Sequence, residues 1–172
     1  VAVVCGAYNN GLTGLSGPFK GGCRVGKVNG FEVVEFELPY SNSDNLISRT
    51  RTFLSFSLQA TKLALLRDYD IIVATTTPLT IAIPGVAARW LRRKRFIFEV
   101  RDLWPELPKA MGVIKSRVII WLLLLLEWVA YHSAHRLIAL SPGILDGIIR
   151  QGVSGSDVKM IPNGCDLDLV VP

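Results

Sequence analysis

Cysteine, methionine and histidine are scarce in this chain, with three, two and two among 172 residues. An odd, small set of cysteines excludes a disulfide framework. Cys5, Cys23 and Cys165 lack metal-ligand spacing, and His132 and His135 have no cysteine or carboxylate partner nearby in sequence. The two histidines therefore read as surface residues at a helix end rather than zinc ligands. Glycine (15) and proline (9) are ordinary in number, which excludes collagen-like and low-complexity chains. Charged residues are only 19% and hydrophobic ones 50%, which excludes a disordered chain and allows a large core. The N-terminus has no basic stretch leading into an apolar run, so no signal peptide is expected. The chain opens on Val1-Ala-Val-Val without a methionine or a lead-in turn, and is expected to begin inside a fold. Its length fits one domain or part of a larger protein.

Charge is unevenly spread. Residues 1–95 carry 12 Lys and Arg against 6 Asp and Glu, whereas residues 96–172 carry 7 against 8. The first part favours an anionic partner such as phosphate, anionic lipid or nucleic acid, unless the charge is only solvated surface. The run Arg89, Arg92, Arg93, Lys94 and Arg95 closes a predicted helix, where cations also complement the helix dipole.

Apolar runs at Val1–Cys5, Asp70–Ala74, Phe96–Val100, Arg136–Leu140 and Val158–Ile161 predict buried strands. Phe31–Leu38 alternates with Glu32, Glu35 and Glu37 and predicts a strand nearer an edge, ended by Pro39. Seven glycines between Gly11 and Gly30 follow no period and predict a mobile loop. Its spacing is not that of a dinucleotide fingerprint, although Lys20, Arg24 and Lys27 suit a diphosphate. Helical periodicity covers Leu46–Leu66, Leu79–Arg95 and Val118–Tyr131, and Ser141-Pro142 is a cap followed by proline at the first position of a helix ending near Gly152. Strands alternating with helices predict an α/β fold, a Rossmann-like parallel sheet with helices on both faces. Ligands of such sheets sit beyond the C-terminal strand ends. Those ends hold Cys5-Gly6, Thr75–Pro78, Arg101–Glu106, Ser141-Pro142 and Pro162–Gly164.

The segment from Glu99 to Glu106 groups Glu99, Arg101, Asp102 and Glu106 at one strand end, with Trp104 among them. An Arg–carboxylate group suits forked hydrogen bonds to a hydroxyl-rich or phosphorylated ligand. Trp104 suits stacking on a sugar ring. The alternative is an ion pair that steadies the loop, with Trp104 in the core.

Phe96–Gly112, FIFEVRDLWPELPKAMG, resembles the signature of family 4 glycosyltransferases, in particular bacterial sugar transferases of surface-polysaccharide assembly (fucosaminyltransferase-like). Ile72–Pro78 (IVATTTP), Leu137–Ile144 (LIALSPGI) and Met160–Asp166 (MIPNGCD) are similar to the family's other segments in order and spacing. The resemblance implies one half of a GT-B architecture, in which two Rossmann-like domains face each other across a cleft. This chain is then the acceptor-side domain over 1–166. Residues 167–172 start the crossover to a C-terminal donor-binding domain that the sequence does not contain. The family's paired glutamates, seven residues apart in that domain, are accordingly missing. The first strand here resembles the family's second, so the resemblance implies that the opening βα unit is also lacking. A sheet without that strand is expected to expose apolar edges.

The resemblance further implies a retaining transferase that moves a sugar from a nucleotide donor to a lipid-linked saccharide. It implies no cofactor and no metal. The protein would be cytoplasmic and peripheral at the inner face of the cytoplasmic membrane, and the isolated domain would be inactive. Asp102 is carried over as an acceptor-hydroxyl contact or a loop organiser. Many relatives have histidine where Arg101 stands, and a permanently charged guanidinium suits a phosphate or sugar oxygen instead of base chemistry. Glu99, Trp104, Glu106, Thr76, Thr77 and Ser141 complete the expected acceptor site, and Pro162, Asn163 and Gly164 the hinge.

The helix Val118–Tyr131 is apolar almost all round, with Glu127 its only charge. It is too short to span a bilayer, which needs about 20 apolar residues. Its surplus apolar face predicts contact with a membrane, with Arg89–Arg95 and Arg49 and Arg51 facing anionic lipid, or cover from neighbouring structure. Two further readings stand beside the transferase: half of a GT-B-type sugar-nucleotide epimerase, and a non-catalytic sugar- or lipid-binding subunit of a split enzyme. Nucleic-acid binding has only the basic patch in its favour and is not expected.

Overall fold

A computed structural model describes residues 1–8, 13–41, 44–104 and 116–164. Seven strands form two sheets among these residues. The first holds β1 (Ala2–Tyr8), β2 (Cys23–Val28) and β3 (Phe31–Tyr40) in the order β1-β3-β2. Strand β1 runs parallel to β3 and β2 antiparallel to it. The second sheet holds β4 (Ile71–Thr75), β5 (Arg95–Val100), β6 (Arg136–Ala139) and β7 (Val158–Met160), in sequence order and all parallel. Helices α1 (Leu46–Leu66), α2 (Ala82–Arg92), α3 (Arg117–Ser133) and α4 (Pro142–Arg150) make the connections and flank the sheet. This is the α/β, Rossmann-like class expected.

Three expectations are corrected. Part of the predicted loop between Gly11 and Gly30 is strand β2, joined to β3 by the two-residue turn Asn29-Gly30. Both turn residues have positive φ (49° and 84°), the geometry that matches the twist of a hairpin and that Asn-Gly tolerates. Strand β3 is consequently central in its sheet, not near an edge, and it runs through Pro39 to Tyr40. Its Glu35 is buried and is held by Arg24 Nε at 2.6 Å and Thr13 Oγ1 at 2.8 Å. The Arg24 guanidinium keeps the Glu35 carboxyl below the usual range. Nor is Leu79–Arg95 one helix: a 3-10 turn over Leu79–Ile81 precedes α2, and Arg95 belongs to β5.

The outer edges of β1 and β4 have no strand partner among the described residues. Val3 of β1 and Ile71 and Val73 of β4 are exposed.

The main core gathers Phe96, Phe98 and Val100 of β5 with Leu137 and Ala139 of β6, under Ala82, Ala88, Ala130, Tyr131 and Ile148 of the helices. Close approach of α2 to β5 requires glycine at 85, because a Cβ there would overlap the Phe96 ring. Gly85→Ala is therefore expected to destabilise the chain by about 1–3 kcal/mol, the usual range for overpacking. Urea unfolding measures it.

His135 ties β5 to the end of α3. Its backbone N–H donates to Phe96 C=O at 2.8 Å, and Phe96 N–H donates to His135 Nδ1 at 3.1 Å. Burial, and then the cations Arg89, Arg95 and Arg136, hold this imidazole below its ordinary value of about 6.5. As pH falls through that value the unfolded chain takes the proton before the folded one, so stability declines with falling pH. His135→Asn keeps an acceptor and cannot titrate. Its melting temperature is expected to fall less between pH 7 and 5 than that of the parent.

Candidate functional site

A cavity of about 600 Å³ opens at the C-terminal ends of the parallel strands, lined by Thr75, Thr76, Thr77, Arg101, Asp102, Leu140 and Asn163. Ligand pockets commonly measure about 300–1,000 Å³, so a sugar unit fits this volume.

The floor is an extension of the β4–β5 ladder. Thr75 pairs with Glu99 as the last partners of the two strands. The Thr76 N–H then donates to Glu99 C=O at 3.0 Å, and Arg101 N–H donates to Thr76 Oγ1 at 2.8 Å. Thr76 is buried, and its hydroxyl takes the place of the next backbone carbonyl. Held this way, the exposed Thr77 hydroxyl donates to Asp102 Oδ2. Ser57 of α1 steadies the turn that follows: its buried Oγ lies 2.8 Å from Thr80 C=O and 2.9 Å from Phe53 C=O.

The Arg101 side chain is exposed and has no ion-pair partner among the described residues. A free guanidinium beside an oriented carboxylate supplies forked donors for phosphate or sugar oxygens together with an acceptor for a hydroxyl.

The structure thus brings together Thr76, Thr77, Arg101, Asp102 and Asn163 of the expected residues. Thr75 and Leu140 join them; their positions at strand ends were the available signal. Glu99 is half-buried on β5 and contributes its carbonyl to the floor. Trp104 is half-buried and packs against the main core, with its Nε1 buried and without a partner among the described residues. Ser141 caps α4, its hydroxyl accepting from Ile144 N–H at 3.3 Å. Pro162 and Gly164 are exposed beyond β7. Glu106, Cys165 and residues 167–172 lie outside the described residues. Leu103, which the sequence did not single out, fills the space over Gly147 of α4, where a Cβ would stand 2.6 Å from its Cδ1. Among the described residues no group of three or more His, Cys, Asp or Glu is placed to hold a metal ion.

A family model described as a glycosyl transferase 4-like domain matches residues 1–164. Two crystal structures of HepE from Anabaena are also similar. The one with UDP is 18% identical with a TM-score of 0.44, and the one with UDP and glucose is 20% identical with a TM-score of 0.46. Each match covers 81% of this chain and 32% of that one, so the chain spans about a third of their length. No curated protein matches.

Thr76→Val keeps the shape of the side chain and leaves the Arg101 N–H without its acceptor. A loss of about 1–3 kcal/mol is expected, the penalty for an unsatisfied buried donor. Faster hydrogen exchange at the Arg101 amide would report the loosened floor.

Proposed function

The chain belongs to the glycosyl transferase 4-like family, and from that premise we propose that it is the acceptor-side half of a retaining glycosyltransferase. The full enzyme moves a sugar from a nucleotide donor to a lipid-linked saccharide at the inner face of the cytoplasmic membrane. The observation that carries this reading is the cavity at the strand ends, where one free guanidinium and one oriented carboxylate meet.

Arg101 binds the diphosphate or a sugar oxygen of the acceptor. Asp102, fixed by the Thr77 hydroxyl, accepts a hydrogen bond from the acceptor hydroxyl and orients its oxygen toward the donor. Asn163 contributes an amide to the same wall. The work of this half is positioning, which removes much of the entropic barrier to transfer. A second, donor-binding domain supplies the nucleotide sugar. No helix of the described residues is long and apolar enough to cross a membrane, and the protein reaches its lipid-linked acceptor from the surface.

Calorimetric titration with a short-chain polyprenyl diphosphate monosaccharide tests this. Arg101→Ala is expected to weaken binding about tenfold or more, because one charge-assisted hydrogen bond contributes about 1.5–3 kcal/mol. Asp102→Asn is expected to weaken it less. The purified chain is expected to show no transfer from any nucleotide sugar. Unchanged affinity in both variants, or turnover by the chain alone, contradicts the proposal.

A further inference from the structure

Helix α3 buries one stripe and exposes another. Ala130, Tyr131 and Ser133 are buried, as is Glu127, which accepts from Tyr131 Oη at 2.9 Å. At 100° per residue, Val118, Trp121, Leu122, Leu124, Leu125 and Trp128 fall on the opposite arc, and all are exposed. Trp121 is 61% exposed and Trp128 50%. Helix α2 adds two exposed apolar side chains near the end of α3. Trp90 Nε1 donates to Ser133 Oγ at 2.9 Å, which sets Trp90 (69% exposed) and Leu91 (71%) beside the C-terminal end of α3. Exposed apolar side chains concentrated on one helix face and its neighbour on this scale mark an interaction site.

Cations flank the arc at both ends. Arg117 is the first residue of α3 and is exposed. At the other end Arg89 and Arg95 lie close enough to His135 to depress its basicity, and Arg93 directly follows α2. None of these four arginines has an ion-pair partner among the described residues. Arg92 and Lys94, by contrast, are tied to Asp68. A hollow of about 470 Å³ is lined by Arg92, Arg93, Lys94 and Arg95, with Asp70 and Ile71.

We propose that this face of α3 and α2 is a docking surface for an anionic lipid bilayer, with α3 lying in the plane of the interface and the unpaired arginines on lipid phosphates. The helix of 17 residues is about 25 Å long, suited to lying in one leaflet and not to crossing two. Tryptophans at an apolar–polar boundary and arginines at its rim are what such an interface selects. A second copy of the chain is the poorer occupant, because self-pairing would bring the rim cations of both copies together. The inference does not rest on the acceptor reading, and vesicles free of saccharide test it separately.

The 172-residue chain is mixed with vesicles of phosphatidylcholine alone and with vesicles containing about one-third phosphatidylglycerol. Binding is expected only to the anionic vesicles, with a blue shift of tryptophan fluorescence and quenching by brominated acyl chains. Trp121→Glu with Leu125→Glu is expected to lower partitioning tenfold or more. Arg89→Gln with Arg93→Gln and Arg95→Gln is expected to reduce binding to the level seen with neutral lipid. Equal binding to both vesicle types, or unquenched tryptophan, overturns the proposal. So does a stable dimer that shields the tryptophans from iodide before lipid is added, since the occupant is then a second copy. The quenching measurement needs only the parent chain, so a variant that fails to fold does not remove the test.

Discussion

The site depends on one residue continuing a ladder past its last strand pair. Thr76 lies beyond the end of β4, yet its N–H still bonds to Glu99 and its hydroxyl captures the amide of Arg101. A parallel pair ordinarily exchanges backbone groups alone. Here a buried side chain supplies the next acceptor, and the two loops leave their strands in fixed register. Thr77 then reaches Asp102, and the guanidinium of Arg101 is left facing solvent. Without that link the Thr77 hydroxyl and the Asp102 carboxylate would sit on two independent loops.

Support for this link comes from below and behind. Gly85 lets α2 close on Phe96, which holds β5 in place under the site. Ser57 joins α1 to the turn after Pro78. His135 anchors the far end of β5 through two hydrogen bonds. Leu103 wedges against Gly147 of α4 and fixes the chain just past Asp102. Each contact lies outside the cavity, and each limits how far one wall can move against the other.

Much of the fold was legible in the sequence because periodicity and caps agree. Apolar spacing and Asn45, whose side chain accepts from Ser48 N–H, bound α1 at Leu46–Leu66 as expected. Ser141-Pro142 opens α4 in the same way. Strand β2 was hidden because its six residues include two cations and a glycine among a crowd of glycines. The Asn29-Gly30 pair was the signal that marks the hairpin. Placing β3 nearer an edge followed from the charges of Glu32, Glu35 and Glu37. Burial of Glu35 beside Arg24 became possible only once β2 was in the sheet. Segment identity put Thr76, Thr77, Arg101 and Asp102 at strand ends. Their pairing across 25 residues depends on the β4–β5 register, which a linear pattern does not encode.

The direction of α3 relates the two faces of the molecule. Strands β5 and β6 are parallel and neighbouring, so the segment between them must return from the C-terminal end of the sheet to its N-terminal end. Arg117 therefore starts near the level of the cavity, and Ser133 ends beside Trp90 and the basic cluster. A helix that only covers a sheet needs one apolar stripe. The second stripe runs the length of this return path, from the cavity end to the arginines. The second stripe therefore begins at the level of the strand-end site, because both are set by the return of a single connection between β5 and β6.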